Sequence, residues 1–269
     1  MTKGEFTIVR CSAFGVNAVA SNTRHVFPRH THEQYGIGVI KHGAQKSFSG
    51  RGIVEAGPGD TITVNPGEVH DGTPIGDTSR SWHMLYFDPP IVAEAMHDMT
   101  EGKTRDYVFH YPVINDVRTA ARFQQLFCAY TIADQAHVLR REELLLSLLG
   151  NVMAEENYFD VKAPIPKAIY IAKSLIDDRP AAPIRLLDLA HASGLSQFRM
   201  LRGFVKATGL TPHAYLMQRR IEAARRLIAH GAGLAEAAFA SGFADQSHMT
   251  RIFVRNYGIS PGAYARAMN

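Results

Sequence analysis

The chain has 269 residues, 46% of them hydrophobic and 20% charged, with a formal net charge of +4. That length accommodates two domains with separate cores, and the balance excludes disorder along the whole chain. No run of about 18 apolar residues suggests a membrane span, the start "MTKGEFTIVRCSAFG" lacks an apolar stretch of signal-peptide length, and Cys11 and Cys128 are too few for a disulfide framework or a structural zinc site. A cytoplasmic protein with reduced thiols and no membrane partner is expected.

The N-terminal part reads as strands and tight turns. Runs such as "YGIGVI", "GDTITVN" and "WHMLYF" are separated by "KHG", "GPG" and "PIGDTS", and no helical stripe occurs before about Ile91. An all-β barrel or sandwich follows. Two segments, "HTHEQYGIGVIKHG" (His30–Gly43) and "GPGDTITVNPGEVHDG" (Gly57–Gly72), resemble the two motifs of cupin barrels, from about residue 20 to residue 88. His30 and His32 alternate by two, so on a strand both imidazoles share one face, and His70 completes a set of three nitrogens. Three readings stand side by side: a divalent transition metal such as zinc, hydrogen bonds to a small-molecule effector, and a structurally satisfied cluster. Metal-binding cupins place a glutamate a few residues after the histidine pair, and here only Glu33 and Gln34 lie nearby, with Glu33 expected on the opposite face.

Two helical patterns come next, "VRTAARFQQLFCAYTIAD" and "LRREELLLSLLGNVMAEE", with Ala120, Phe123, Phe127 and Tyr130 and then Leu145, Leu148, Leu149 and Val152 at helical spacing. They can cover the open side of the barrel. The leucines from Leu144 to Leu149 exceed what one face needs, so part of them is expected to pair with a second subunit. The proline-bearing stretch "VKAPIPK" (Val161–Lys167) then reads as a linker.

Charge changes sign across that linker. Residues 1–163 hold 15 Lys and Arg against 19 Asp and Glu, a net of −4, while residues 164–269 hold 14 against 6, a net of +8. The basic surplus belongs to the C-terminal part, where it can serve phosphates. That part also repeats itself. Arg202, Phe204, Gly209, Pro212 and Tyr215 recur 49 residues later as Arg251, Phe253, Gly258, Pro261 and Tyr264, and "LLDLAHASG" answers "LAEAAFASG" at a displacement of 48, which puts a one-residue insertion in the turn. Each copy reads as helix, glycine turn, helix, with Gly194 as a left-handed C-cap and Ser196 and Asp245 as N-caps. In the second copy Met249, Ile252 and Phe253 face inward, which leaves Gln246, Ser247, Thr250 and Arg251 on the other side or its margins.

The segment "GFADQSHMTRIFVRNYGISPGAY" (Gly242–Tyr264) resembles the signature of AraC/XylS-type transcriptional regulators over about the last 100 residues. The resemblance implies two helix-turn-helix units joined by a long helix, here Pro212–His230, and commonly a cupin-type effector domain in front of them. The fold class is then α+β with two domains. The boundaries are 1–112 for the cupin-like effector-binding barrel, 113–160 for the helical segment, 161–166 for the linker, and 167–269 for the double helix-turn-helix domain. It also implies base or phosphate contacts from Phe198, Arg199, Leu201, Arg202 and Lys206 in the first reading helix. In the second they come from Gln246, Ser247, Thr250 and Arg251. Arg202 and Arg251 are equally open to an internal ion pair, while Phe204, Phe253, Tyr215 and Tyr264 read as core.

The expected function is sequence-specific DNA binding controlled by an effector held at His30, His32 and His70, with an operator duplex, a second copy of the chain and RNA polymerase as partners and no catalytic role. The alternative is a cupin metalloenzyme, an oxygenase or isomerase, fused to a DNA-binding domain.

Overall fold

The computed structural model describes residues 5–9, 11, 13–76, 79–102, 107–131, 138–153 and 165–268. Two compact units divide the chain, Met1–Asn157 and Tyr158–Asn269. Of the linker expected at 161–166, only Ile165 and Pro166 lie within the described residues. Among the described residues no helix is long and apolar enough to cross a membrane.

Among the described residues, ten strands and three helices build the first unit. The strands are β1 (Glu5–Val9), β2 (Val16–Thr23), β3 (Phe27–His30), β4 (Tyr35–His42), β5 (Gln45–Ser49), β6 (Gly52–Ala56), β7 (Thr61–Val64), β8 (His70–Pro74), β9 (Arg80–Phe87) and β10 (Val113–Ile114). The helices are α1 (Pro89–Met99), α2 (Val117–Thr131) and α3 (Val138–Met153). An antiparallel sheet in the order β1-β2-β9-β4-β7-β10 faces a smaller one, β3-β8-β5-β6. The cupin-like barrel thus takes the form of a double-sheet jelly roll whose ladders do not close into one ring.

Burial on both faces explains why "YGIGVI" is almost continuously apolar. Ile37, Val39, Leu85 and Phe87 point from the large sheet into a core shared with all three helices. Val19, Ile40, Trp82 and Met84 point the other way, toward Ala56 and Phe27 of the small sheet. The inner positions of β4 include Gly36 and Gly38, paired with Tyr86 and Met84 of β9. A Cβ on Gly38 would touch Met84 Sδ and lie 2.6 Å from the His83 carbonyl oxygen, so glycine here makes room for the large residues of the next strand.

Arg80 straps the two sheets together. It is 1% exposed, its Nε donates to Gln45 Oε1 at 3.1 Å, and its terminal nitrogens donate to the carbonyls of His25 (3.1 Å) and Gly72 (3.2 Å). Its guanidinium lies 4.8 Å over Trp82 and 5.7 Å over Phe27. Burial lowers its pKa to about 10, still far enough above neutrality to keep the charge. On the outer face Leu145, Leu148 and Leu149 join Phe123 and Phe127 in the core, and Leu144 and Leu146 pack half-buried against it. Most of the run Leu144–Leu149 is therefore absorbed within its own unit, while Leu144 and Leu146 keep part of their surface outside that core.

The described residues of the second unit form helices and their connecting turns: α4 (Lys167–Asp178), α5 (Leu186–Ser193), α6 (Gln197–Thr208), α7 (Pro212–Ala229), α8 (Leu234–Ala240), α9 (Gln246–Tyr257) and α10 (Pro261–Met268). The repeat is visible in the caps. Ser196 accepts from Arg199 N and Asp245 from His248 N, while Gly209 and Gly258 end α6 and α9 at φ of 76° and 75°. Phe204 meets Tyr215 and Phe253 meets Tyr264 at the same ring separation, 5.5 Å. The repeated unit is longer than the sequence match, because α4 supports α5–α6 as α7 supports α8–α9. Each support carries an ion network: Asp177 takes Lys173 (2.7 Å), Arg219 (3.0 Å) and the Tyr215 hydroxyl (2.7 Å), while Glu222 takes Arg225 (2.6 Å) and the Tyr257 hydroxyl (2.8 Å).

Candidate functional site

Inside the jelly roll the three histidines meet. His30 ends β3 and His70 begins β8, and the two are cross-strand partners. His32 lies beyond β3 rather than on it, in a loop pinned by a 2.7 Å hydrogen bond from Gly67 N to its carbonyl. The alternation expected along one strand is thus replaced by a strand end and the loop that follows it. Ring centroids are 4.3 Å apart for His30 and His70, 4.8 Å for His30 and His32, and 5.0 Å for His32 and His70. One ring nitrogen from each lies within 4.8 Å of the others.

The tautomers follow from the neighbours. Nδ1 of His30 lies 2.6 Å from the Pro28 carbonyl oxygen and Nδ1 of His70 lies 2.9 Å from that of Glu68. A carbonyl only accepts, so each Nδ1 carries the hydrogen and each Nε2 keeps a lone pair. Burial pulls His30 down to about 3, helped by the adjacent His70, and burial alone pulls His70 down to about 4. Both are neutral at physiological pH, the state that can ligate a metal or accept a ligand's proton.

Metal closure requires the three nitrogens, now separated by up to 4.8 Å, to settle at the roughly 3.4 Å set by bonds of about 2.0–2.1 Å around a tetrahedral ion. Glu33 does not belong to the cluster. Tyr86 does border it, with its ring 5.1 Å from that of His32. Farther along the same interior, Ser21 pairs in register with Trp82, and its buried hydroxyl has no hydrogen-bond partner among the described residues. The period-2 pattern of β2 and β9 could have singled out Tyr86 and Ser21 once one inward residue on each strand was known.

The second site is the surface of α6 and α9. Gln246, Ser247 and Arg251 are exposed and Thr250 half-exposed on α9, with Met249 and Phe253 completely buried beneath them. On α6 Phe198, Arg199, Arg202 and Lys206 are exposed, Leu201 is half-buried, and Met200 and Phe204 are buried. The guanidinium of Arg202 rests 5.6 Å over the Phe198 ring, one turn earlier. Among the described residues neither Arg202 nor Arg251 forms an internal ion pair, whereas Arg219 and Arg225 do. His248 turns inward instead, edge-on to Phe243 at 5.4 Å. The connecting helix α7, 18 residues at about 1.5 Å each, spans about 27 Å. That length is close to the roughly 34 Å between successive major-groove segments on one face of DNA.

A family profile described as "AraC-like ligand binding domain" matches residues 18–149, and one described as "Helix-turn-helix domain" matches residues 189–267. The chain belongs to the AraC family of transcriptional regulators. It is similar to the HTH-type transcriptional regulator YbfI of Bacillus subtilis, 29% identical over 226 residues, covering 83% of this chain and 81% of that protein. It is also similar to the transcriptional activator RhaS of Escherichia coli, 25% identical over 251 residues, covering 87% and 86%. Among solved structures, apo ToxT from Vibrio cholerae superimposes with a TM-score of 0.60 at 14% identity, covering 100% of this chain and 99% of that one. This AraC-family regulator therefore combines a ligand-binding domain with a DNA-binding domain.

Proposed function

We propose that this regulator recognises its operator through α6 and α9 and that a small molecule, held in the jelly roll beside His30, His32 and His70, controls that binding without being turned over. The observation that carries the reading is the convergence of three histidines, His30 buried and His32 and His70 half-buried, with His30 and His70 neutral and their Nε2 atoms left available, in a domain matched as ligand-binding. Base contacts come from Phe198, Leu201, Arg202, Gln246, Ser247, Thr250 and Arg251, and phosphate contacts from Arg199 and Lys206. The protein works in the cytoplasm as a homodimer, whose two-fold symmetry brings two such pairs of reading helices to one operator, and it addresses RNA polymerase from there.

The donor set also fits a divalent transition metal. His30, His32 and His70 would hold it, and when bound it would offer the effector an open coordination position. Among the described residues no carboxylate completes the set as in metal-binding cupins, and this supports a binding role over turnover. A solved ToxT structure carries an unsaturated fatty acid. Lipid acids therefore belong in the effector screen beside sugars, amino acids and aromatic acids.

The test is thermodynamic coupling. An effector can shift operator affinity only if it prefers one arrangement of the protein, and then the operator shifts effector affinity by the same factor. Ligands are found by thermal shift. His32→Ala and His70→Ala are expected to bind the operator within a few-fold of the parent and to lose the response. An undiminished response in both variants places the pocket elsewhere, and turnover of the ligand by the parent refutes the non-enzymatic reading.

A further inference from the structure

We propose that Arg220 and Gly242 clamp the two helix-turn-helix units at one fixed separation and phase, and so make the spacing between the two DNA half-sites a determinant of specificity. The inference rests on the DNA-reading role of α6 and α9. Arg220 stands in the middle of α7, where its Nε donates to the Pro180 carbonyl at 2.8 Å and its Nη2 to the Ala182 carbonyl at 3.0 Å. Both acceptors belong to the loop between α4 and α5, in the first helix-turn-helix unit. The residue between them, Ala181, meets the second unit: a Cβ on Gly242, in the turn after α8, would lie 2.7 Å from both Ala181 Cα and the Ala181 carbonyl oxygen. One loop of the first unit is therefore gripped by the joining helix and pressed against the turn of the second. Beside Arg220, Arg219 holds Asp177 of α4 at 3.0 Å.

The repeat shows that this contact belongs to the junction and not to a helix-turn-helix as such. At the displacement of 48 that holds ahead of the turn, the counterpart of Arg220 is Ala172, a buried residue of α4 whose side chain can make no such bonds. The counterpart of Gly242 is Gly194. Both glycines have positive φ, 81° and 65°, yet a Cβ on Gly194 would meet nothing within 4 Å. Gly194 serves its backbone angle alone, whereas Gly242 serves its angle and a close approach.

The consequence for DNA follows from helical geometry. Shifting one half-site by one base pair moves it about 3.4 Å along the duplex and turns it by about 35°. A single helix joining two free units could bend and twist to follow that shift. A joining helix braced by a second contact cannot, so the misplaced half-site is lost.

The experiment uses the full chain and a duplex enriched by it from a randomised library, rebuilt with one base pair removed and with one or two added between the half-sites. Affinity is measured by fluorescence anisotropy across a salt series, and folding by circular dichroism. The parent is expected to weaken at least tenfold for a one-base-pair change. In Arg220→Met and Gly242→Ala the penalty is expected to fall below about threefold. Arg220→Lys should behave like Arg220→Met, because an ammonium cannot span both carbonyls, and Gly194→Ala should keep the parent's penalty while bearing the same kind of backbone cost. A spacing penalty retained in folded Arg220→Met overturns the clamp. So does uniform weakening at every spacing with rescue by Arg220→Lys, which would mark a phosphate contact. A parent indifferent to spacing also overturns it. A parent that enriches no duplex overturns the DNA reading beneath it.

Discussion

Removing Arg225 tests how the second reading helix is held to its support. The Glu222 carboxylate is 3% exposed and accepts from Arg225 Nε at 3.1 and 3.3 Å and Nη2 at 2.6 Å, and from the Tyr257 hydroxyl at 2.8 Å. Burial alone would raise its pKa, but Arg225 and the hydroxyl outweigh that and hold it below the ordinary carboxylate range. Arg225→Met leaves a buried carboxylate with one neutral donor, which costs about 3–5 kcal/mol. For a domain of this size each kilocalorie is worth roughly 4–8 °C in Tm, so the C-terminal transition should fall by roughly 12–40 °C.

The double variant Glu222→Met with Arg225→Met removes both charges and should recover at least half the loss. Lys173→Met, at the half-exposed pair in α4, should cost under about 1 kcal/mol. The pH dependence has a definite sign. In the parent the depressed Glu222 contributes stability above its unfolded pKa, and this is lost as pH falls through the folded one. In Arg225→Met the pKa rises instead, so the gap to the parent narrows on acidification. Calorimetry of the full chain decides. A double variant as unstable as Arg225→Met would refute the reasoning, because the loss would then come from packing of the arginine stem and not from a stranded charge.

At the DNA surface, Arg251→Ala should weaken binding by about 1–3 kcal/mol and relax base preference in one half-site, whereas Lys206→Ala should weaken all duplexes alike and lower the salt slope by about 1; anisotropy with base-substituted operators separates the two. Elemental analysis of untagged, chelator-free protein should return one metal per chain if the histidine cluster is a metal site, and none if it contacts the effector directly. Gly38→Ala should destabilise the N-terminal transition by about 1–3 kcal/mol, since the added Cβ meets the backbone carbonyl of His83, and calorimetry would show no change if β4 can shift aside.

What could be read from the chain alone was local. Ser196, Asp245, Gly209 and Gly258 act on backbone groups within a turn of themselves, so their positions announce the helix ends directly. The histidine cluster was legible for a partly different reason. His30 and His70 come together as cross-strand partners, and His32 joins from a loop and not along the strand. The leucines of α3 looked like a larger surplus than they are because a helix counted alone shows only one buried face, whereas this one packs against both α1 and α2. Arg80 carries no motif, since its acceptors are two carbonyls and an amide from distant parts of the chain.

The support helices show why the repeat looked shorter than it is. Lys173 and Asp177 of α4 correspond in role to Glu222 and Arg225 of α7, but the order of the charges is reversed, so residue identity no longer matches while the function of tying helix to helix does. Selection on such a contact acts on the pair and leaves each member free to change sign. Gly194 and Gly242 show the converse. Their residue type, repeat position and sign of φ agree, and only the neighbour across the fold, open space for one and the Ala181 backbone for the other, makes the second part of a junction. A difference that resides entirely in the neighbour leaves no trace at the position itself, which is why the helix-turn-helix units could be read from the sequence and the contact that sets their spacing could not.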